Sequence, residues 1–293
     1  MENLLERLPS GSRIAVIRLR SLGDCVLTTP ALVLLKQHRP DLKVAVIVEP
    51  RFAAVFEGNP DVDEIRESLP RAGLVLNLHG GTRSMWMTAA SLAKYRTGFG
   101  HHRYSFLYSH RIPRAQEILG VERPVHTAEH LASAMFWLGV PQMEIPRARL
   151  IADAGPDLPP YAVIHPFASA PEKTWPAERF IELTRRLHGL APVFLAGPDD
   201  DASPFESFPV WKNEPLARVK NLLSGASLFV GNDSGPAHIA AAFGVPVVAI
   251  FGASDPATWA PWRTESQVLR APSICDITAE AVAAAIDHLK VRV

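Results

Sequence analysis

The chain is predicted to be an α/β protein built as two Rossmann-like, doubly wound domains. Short apolar runs alternate with segments of helical spacing, the pattern of strands that cross over through helices into a parallel sheet. The alternation stops at residues 146–160, a stretch that includes Gly155, Pro156, Pro159 and Pro160, and then starts again. At 293 residues the chain is long for one core and comfortable for two domains of about 150 residues each. The boundary is predicted near Gly155, giving domains at 1–154 and 155–293.

Composition narrows the function. Hydrophobic residues make up 47% and charged residues 20%, which suits a globular protein with ample core. Lys plus Arg and Asp plus Glu both number 30, and this neutral balance argues against a dedicated nucleic-acid binder. Two cysteines, Cys25 and Cys275, cannot make a disulfide framework and suit a reducing cytosol. Glu2, Glu6 and Arg7 near the start do not form the basic and apolar pattern of a signal peptide. The most apolar run, residues 239–253, is interrupted by Gly244 and Pro246 and is shorter than the roughly 20 residues of a membrane span. A cytoplasmic protein is expected, and any membrane contact is peripheral.

In the first half, residues 14–17 read as a buried strand, followed by a loop through Gly23-Asp24. Apolar residues at Val26, Leu27, Ala31, Leu34 and Leu35 predict a helix over 25–36, with Pro30 either kinking it or marking where it becomes regular. Strands follow at 44–48, 63–66 and 74–77, with a short helix starting at 53–56. Asp24 has two readings from position alone: an N-cap, or a carboxylate at the carboxyl edge of the first strand, placed to accept a proton from a hydroxyl. Asn77 to Ser84 is another strand-to-loop transition, carrying His79 and Arg83. Residues 83–114 interleave Lys94, Arg96, Arg103 and Arg111 with histidines and aromatics. That segment reads as a contact for nucleic acid or an anionic lipid head group, or as a solvated loop. A helix over 126–138 ends at Gly139-Val-Pro141.

In the second half, strands are predicted at 161–164 and 193–196, and helices at 177–187, 211–223 and 278–289. Asp199, Asp200 and Asp201 after the second of these strands read as a metal site or, with Ser203 and Pro204 following, a solvated turn. The most informative stretch is 228–262. Its apolar residues 228–230 break into Gly231-Asn-Asp233-Ser234-Gly235-Pro236 before an Ala-rich helix, and 247–251 form the next strand. Pro236 suits a first helical turn, Asp233 and Ser234 are types that satisfy its free amides, and His238 lies on that turn facing the loop. Such a loop is ordinary helix punctuation or, at the carboxyl edge of an open sheet, a diphosphate site.

Three motifs resemble glycosyltransferase family 9, the heptosyltransferases of lipopolysaccharide core assembly. They are Ser21-Leu-Gly-Asp24 with Thr29-Pro-Ala-Leu32; His165 through Lys173-Thr-Trp-Pro176 to Arg179-Phe180; and Asp233-Ser-Gly-Pro-Ala-His238 with Phe251-Gly-Ala-Ser-Asp-Pro256. The resemblance spans essentially the whole chain. It implies a GT-B architecture with a cleft between the two domains, the last helix packing back toward the first. It further implies an inverting enzyme that uses a nucleotide-sugar donor such as ADP-heptose and a lipopolysaccharide core or related glycan as acceptor, at the inner face of the inner membrane. By resemblance Asp24 is the catalytic base, while Ser169, Lys173, Asp233, Ser234, Gly235 and His238 bind the donor and His79 and Arg83 the acceptor. No metal and no cofactor are expected, and no nucleic-acid partner. Ala168 departs from the paired hydroxyls of some heptosyltransferases. The alternatives are the same fold with another donor, or a catalytically silent nucleotide-sugar binder. A dinucleotide oxidoreductase fits poorly, because the first strand is followed by Arg18-Leu-Arg-Ser-Leu-Gly23 and not G-x-G-x-x-G.

Overall fold

The computed structural model describes residues 3–291. It divides between Ile151 and Ala152 into two units, each built on one six-stranded parallel sheet.

The first unit runs β1 (Arg13–Ile17), α1 (Leu22–His38), β2 (Lys43–Ile47), β3 (Glu64–Arg66), β4 (Leu74–Asn77), α2 (Thr82–Ala90), β5 (Tyr95–Phe99), β6 (His110–Ile112), α3 (Ala115–Leu119) and α4 (Thr127–Leu138). The strand order is β3-β2-β1-β4-β5-β6, so β1 and β4 lie at the centre, with Ile17 opposite both Ile47 and Asn77. Residues 14–17 and all of β4 are buried, because a parallel sheet covered on both faces leaves no side for polar residues. α1 continues through Pro30. The Thr29 hydroxyl donates at 2.8 Å to the Val26 carbonyl, the acceptor that Pro30 cannot reach without an N–H. α4 packs against α1 and opens with a capping box, in which His126 accepts from the Ala128 amide and the Glu129 carboxylate accepts from the His126 amide.

The second unit runs β7 (Tyr161–His165), α5 (Ala177–Thr184), β8 (Ala191–Ala196), β9 (Val210–Lys212), α6 (Leu216–Ser224), β10 (Leu228–Asn232), α7 (Gly235–Ala242), β11 (Val247–Phe251), α8 (Pro256–Trp259), β12 (Ser266–Arg270) and α9 (Ala279–Asp287). Its order, β12-β11-β10-β7-β8-β9, repeats the doubly wound pattern, and β7 and β10 are central. The reversal of winding between them marks the carboxyl ends of β7 and β10 as the place for a ligand. Trp175 and Phe180 meet edge to face at 4.6 Å in a core that extends to Ile277, Ala279 and Val282. α9 packs on α5, β11 and β12.

Two details differ from the sequence expectation. Trp211 lies on β9, not on a helix. Asn213, with φ 55°, turns the chain, and α6 starts only after Pro215. Residues 83–114, for which a solvated loop was one of the readings, take in most of α2 and all of β5 and β6. Among the described residues no helix is long and apolar enough to cross a membrane.

Candidate functional site

In the first unit, the residue after β1 is an arginine that the fold buries. Arg18 is 6% exposed, and one Nη lies 3.3 Å from the Asp24 carboxylate while the other donates to the Leu78 carbonyl beyond β4. Its Nε has no hydrogen-bond partner. Burial pulls the guanidinium pKa down, and Asp24 opposes that. Asp24 is not an N-cap: Ser21, at φ 71° and without a side-chain cap bond, occupies that place, and Asp24 sits inside the first turn of α1. The ion pair thus fixes one carboxylate, still partly open to solvent, at the carboxyl edge of the central strands. Cys25 is buried beside it, and burial raises its thiol pKa to about 12, so it packs as a protonated side chain.

His79 joins this group. The Asn77 side chain accepts from the His79 and Gly80 amides, both at 3.0 Å, which fixes the loop after β4. His79 Nδ1 is buried with no hydrogen-bond partner. Burial first, then Arg18 and Arg20, lower its pKa, leaving a neutral ring at pH 7 within the field of Asp24. Arg83, exposed on the first turn of α2, lies 3.5 Å from Glu49. Both line a cavity of about 430 Å³ with Leu19, Val48, Arg51 and Glu67.

Behind this edge lies a histidine group. His130 stacks on Phe99 at 4.0 Å, and His102 Nδ1 is 2.7 Å from the Tyr108 hydroxyl. Burial lowers the pKa of His102 to about 3 and of His130 to about 4. Unfolded, these rings titrate near 6.5, so the unfolded chain binds more protons between that value and the folded pKa values. Their contribution to stability is full above pH ~6.5 and falls as the pH drops toward 4 and below. Urea melts at pH 7.5 and 5.0 are expected to show a lower midpoint at pH 5.0, and His102→Asn is expected to reduce the difference. An unchanged midpoint would contradict the burial of neutral rings.

In the second unit, the loop after β10 leaves a helix N-terminus without a side-chain cap. Ser234 is the extended N-cap residue of α7, makes no cap bond, and its Oγ is buried with no partner. Asp233 is turned away, accepting a hydrogen bond from Ser254 Oγ at 2.5 Å. The first-turn amides near Gly235 are therefore without a side-chain acceptor, an arrangement that suits a bound anion. Burial raises the Asp233 pKa, against the Ser254 hydrogen bond and the charge of Lys173.

Lys173 is held there by the strand beside it. Asn232, fully buried at the end of β10, accepts from the Trp175 amide at 3.0 Å and donates to the Pro166 carbonyl at 2.8 Å. Gly252, after β11, allows the loop to close: a Cβ there would sit 2.1 Å from the Glu172 carbonyl oxygen and 3.0 Å from Lys173 Cα. Ser169 is exposed on the same loop, and His238 is buried on α7 with its ring 6.4 Å from Trp259. His165 ends β7 opposite Gly231, and burial lowers its pKa to about 4.

Two of the three aspartates after β8 brace the turn. Asp200 accepts from the Gly197 amide at 2.7 Å and Asp201 from the Ser203 amide at 3.0 Å. Among the described residues no group of three or more His, Cys, Asp or Glu side chains is gathered to hold a metal ion. Reasoning from sequence missed Arg18, Asn232 and Ser254. The signal for the first two was a polar residue set directly at the end of an apolar strand.

The chain is thus an α/β protein of two parallel sheets, each with polar groups gathered at carboxyl edges, and one of them has an open helix N-terminus and a lysine of the kind that suits an anion. The family model for glycosyltransferase family 9 (heptosyltransferase) matches residues 64–284, and the chain belongs to that family. That match includes Lys173 and the 233–238 loop and begins after Asp24. Among curated proteins, the chain is 28% identical to lipopolysaccharide heptosyltransferase 3 of Escherichia coli K12, over 83% of each chain. It is 25% identical to lipopolysaccharide heptosyltransferase 1 of the same strain, over 92% of this chain and 98% of the relative. Among solved structures it resembles a family 9 glycosyl transferase from Veillonella parvula, with TM-score 0.84, 22% identity and 95% and 97% of the two chains covered. The E. coli heptosyltransferase WaaC with ADP aligns with TM-score 0.77 at 21% identity, over 94% and 99%. The fold is thus the two-domain α/β GT-B architecture, and the chain is a glycosyltransferase by family.

Proposed function

We propose that this protein transfers a heptose, with inversion, from ADP-heptose to a lipopolysaccharide core or related cell-surface glycan. The single observation that carries the donor side is Ser234: a helix N-terminus at a switch-point edge with no side-chain cap, a buried unpartnered hydroxyl and Lys173 close to Asp233. The names of the curated relatives and the ADP in the WaaC structure support the choice of sugar and nucleotide.

The acceptor hydroxyl attacks the anomeric carbon from the face opposite the diphosphate, and the bond from that carbon to the phosphate oxygen breaks. Asp24 takes the hydroxyl proton as the new bond forms, its carboxylate held by Arg18. The charge that develops on the leaving ADP is met by Lys173 and the amides at Ser234 and Gly235, with Ser169 and His238 completing the donor side. His79, neutral and with a free buried Nδ1, and Arg83, in its cavity, contact the acceptor.

Calorimetric titration with ADP, UDP and GDP tests this reading. ADP is expected to bind tightest, and equal or preferred binding of UDP would move the chain to a same-fold transferase with another donor. Charge neutralisation by fixed donors also predicts that sugar transfer survives excess EDTA and is unaffected by Asp200→Ala. Strict dependence on magnesium or manganese, abolished by that substitution, would overturn the metal-independent mechanism.

A further inference from the structure

The loop after β4 serves two parts of the first unit's site. The Leu78 carbonyl accepts from Arg18, whose other Nη holds Asp24, and His79 follows at the next position. Asn77, fully buried at the end of β4, fixes the loop by accepting from the His79 and Gly80 amides. What holds Asn77 lies farther along the chain. Its Nδ2 donates at 3.4 Å to Met85 Sδ on α2, and the Tyr108 hydroxyl, just before β6, donates to the same sulfur at 2.8 Å. A phenol has one proton, so the Tyr108 oxygen accepts from its other neighbour, His102 Nδ1, 2.7 Å away. The network thereby assigns the proton of the neutral His102 ring to Nδ1.

The same ring also closes on the loop directly. Gly80 has φ 73°, and a Cβ there would sit 2.5 Å from His102 Nε2, so a side chain at this position would collide with the imidazole. Phe99, at the end of β5, meets His102 edge to face at 5.9 Å. His102 thus acts on the loop twice, by contact at Gly80 and through Tyr108, Met85 and Asn77. An apolar core could pack the loop as tightly. Directional donors and acceptors also fix its orientation, and a base needs that, since misplacement by about 1 Å costs roughly 100-fold in rate.

We propose that His102 is a positioning residue for sugar transfer. By its contact with Gly80, and through Tyr108, Met85 and Asn77, it sets the 78–81 loop that orients His79 and, by way of the Leu78 carbonyl, the Arg18–Asp24 pair. The inference rests on the proposed roles of Asp24 and His79 and adds the residues that hold them.

Two measurements on the full chain test it, one of them independent of turnover. Tyr108→Phe and His102→Leu are expected to lower kcat/KM for a lipopolysaccharide core acceptor by about 10- to 100-fold, while ADP affinity by calorimetry stays at the wild-type value. His102→Asn, whose side-chain N–H can donate to Tyr108 in place of Nδ1, is expected to bring transfer back to within a few-fold of wild type. In hydrogen exchange, the His79 and Gly80 amides are expected to lose protection at least roughly tenfold in Tyr108→Phe and His102→Leu. Unchanged protection in β1 and the rest of β4 separates this local effect from a general loss of stability. Wild-type exchange at His79 and Gly80, wild-type transfer by both variants, or His102→Asn as impaired as His102→Leu would overturn the proposal. A wild-type chain that transfers no heptose, with the exchange result as expected, would overturn the proposed function and still support the hold of His102 on the loop.

Discussion

Asp24→Asn is expected to lower the rate of sugar transfer by about 10²–10⁴, the usual cost of losing a general base, while ADP affinity stays at the wild-type value. The two readouts separate because Asp24 lies in the first unit and the donor groups in the second. Asparagine keeps an oxygen toward Arg18 Nη1, so the ion pair becomes a hydrogen bond and the arginine retains a partner. Alanine would strand a buried guanidinium and confuse catalysis with stability. Turnover at the wild-type rate, with only a lowered melting temperature, would reduce Asp24 to a structural partner of Arg18.

Lys173→Ala is expected to weaken ADP binding by roughly 10- to 150-fold, the worth of about one charge-assisted hydrogen bond to a diphosphate. Asp233→Ala acts differently. It removes the tie to Ser254 and loosens the turn before α7, so a several-fold loss is expected. Calorimetry on both variants reads these effects directly. Unchanged affinity in both would mean that the diphosphate lies elsewhere.

The places of the candidate residues were legible in the sequence because they follow apolar runs that break into polar loops, while their roles came from the resemblance to the family. β1, β4, β7, β10 and β11 each carry an apolar run, and the segments that follow β1, β4, β7 and β10 hold Asp24, His79, Lys173 and the 233–238 loop. β5 was not legible. Its sequence, Tyr-Arg-Thr-Gly-Phe, has no apolar run, and it is a strand because tertiary partners make it one. Thr97 donates to the Val75 carbonyl at 3.0 Å, and Gly98 leaves room for the Tyr108 ring, which a Cβ would meet at 2.3 Å. β12 is an edge strand without a fully buried residue, so periodicity had little to record. Arg18 escaped notice for a related reason. Its partners, Asp24 and the Leu78 carbonyl, are brought to it by the loop before α1 and by the pairing of β1 with β4. The acidic run at 199–201 can be read two ways in the sequence; in the fold Asp200 accepts from the Gly197 amide and Asp201 from the Ser203 amide, bonds that depend on the turn's backbone and leave no trace in the residue pattern.

The central claim is transfer of heptose from ADP-heptose with inversion at the anomeric carbon. Proton NMR of the wild-type protein incubated with ADP-heptose and a heptose-accepting lipopolysaccharide core tests it most directly. The expected spectrum shows one ADP released for each sugar transferred, and an anomeric signal of configuration opposite to that of the donor. Retention of configuration, or donor left unconsumed beside a competent acceptor, would contradict it.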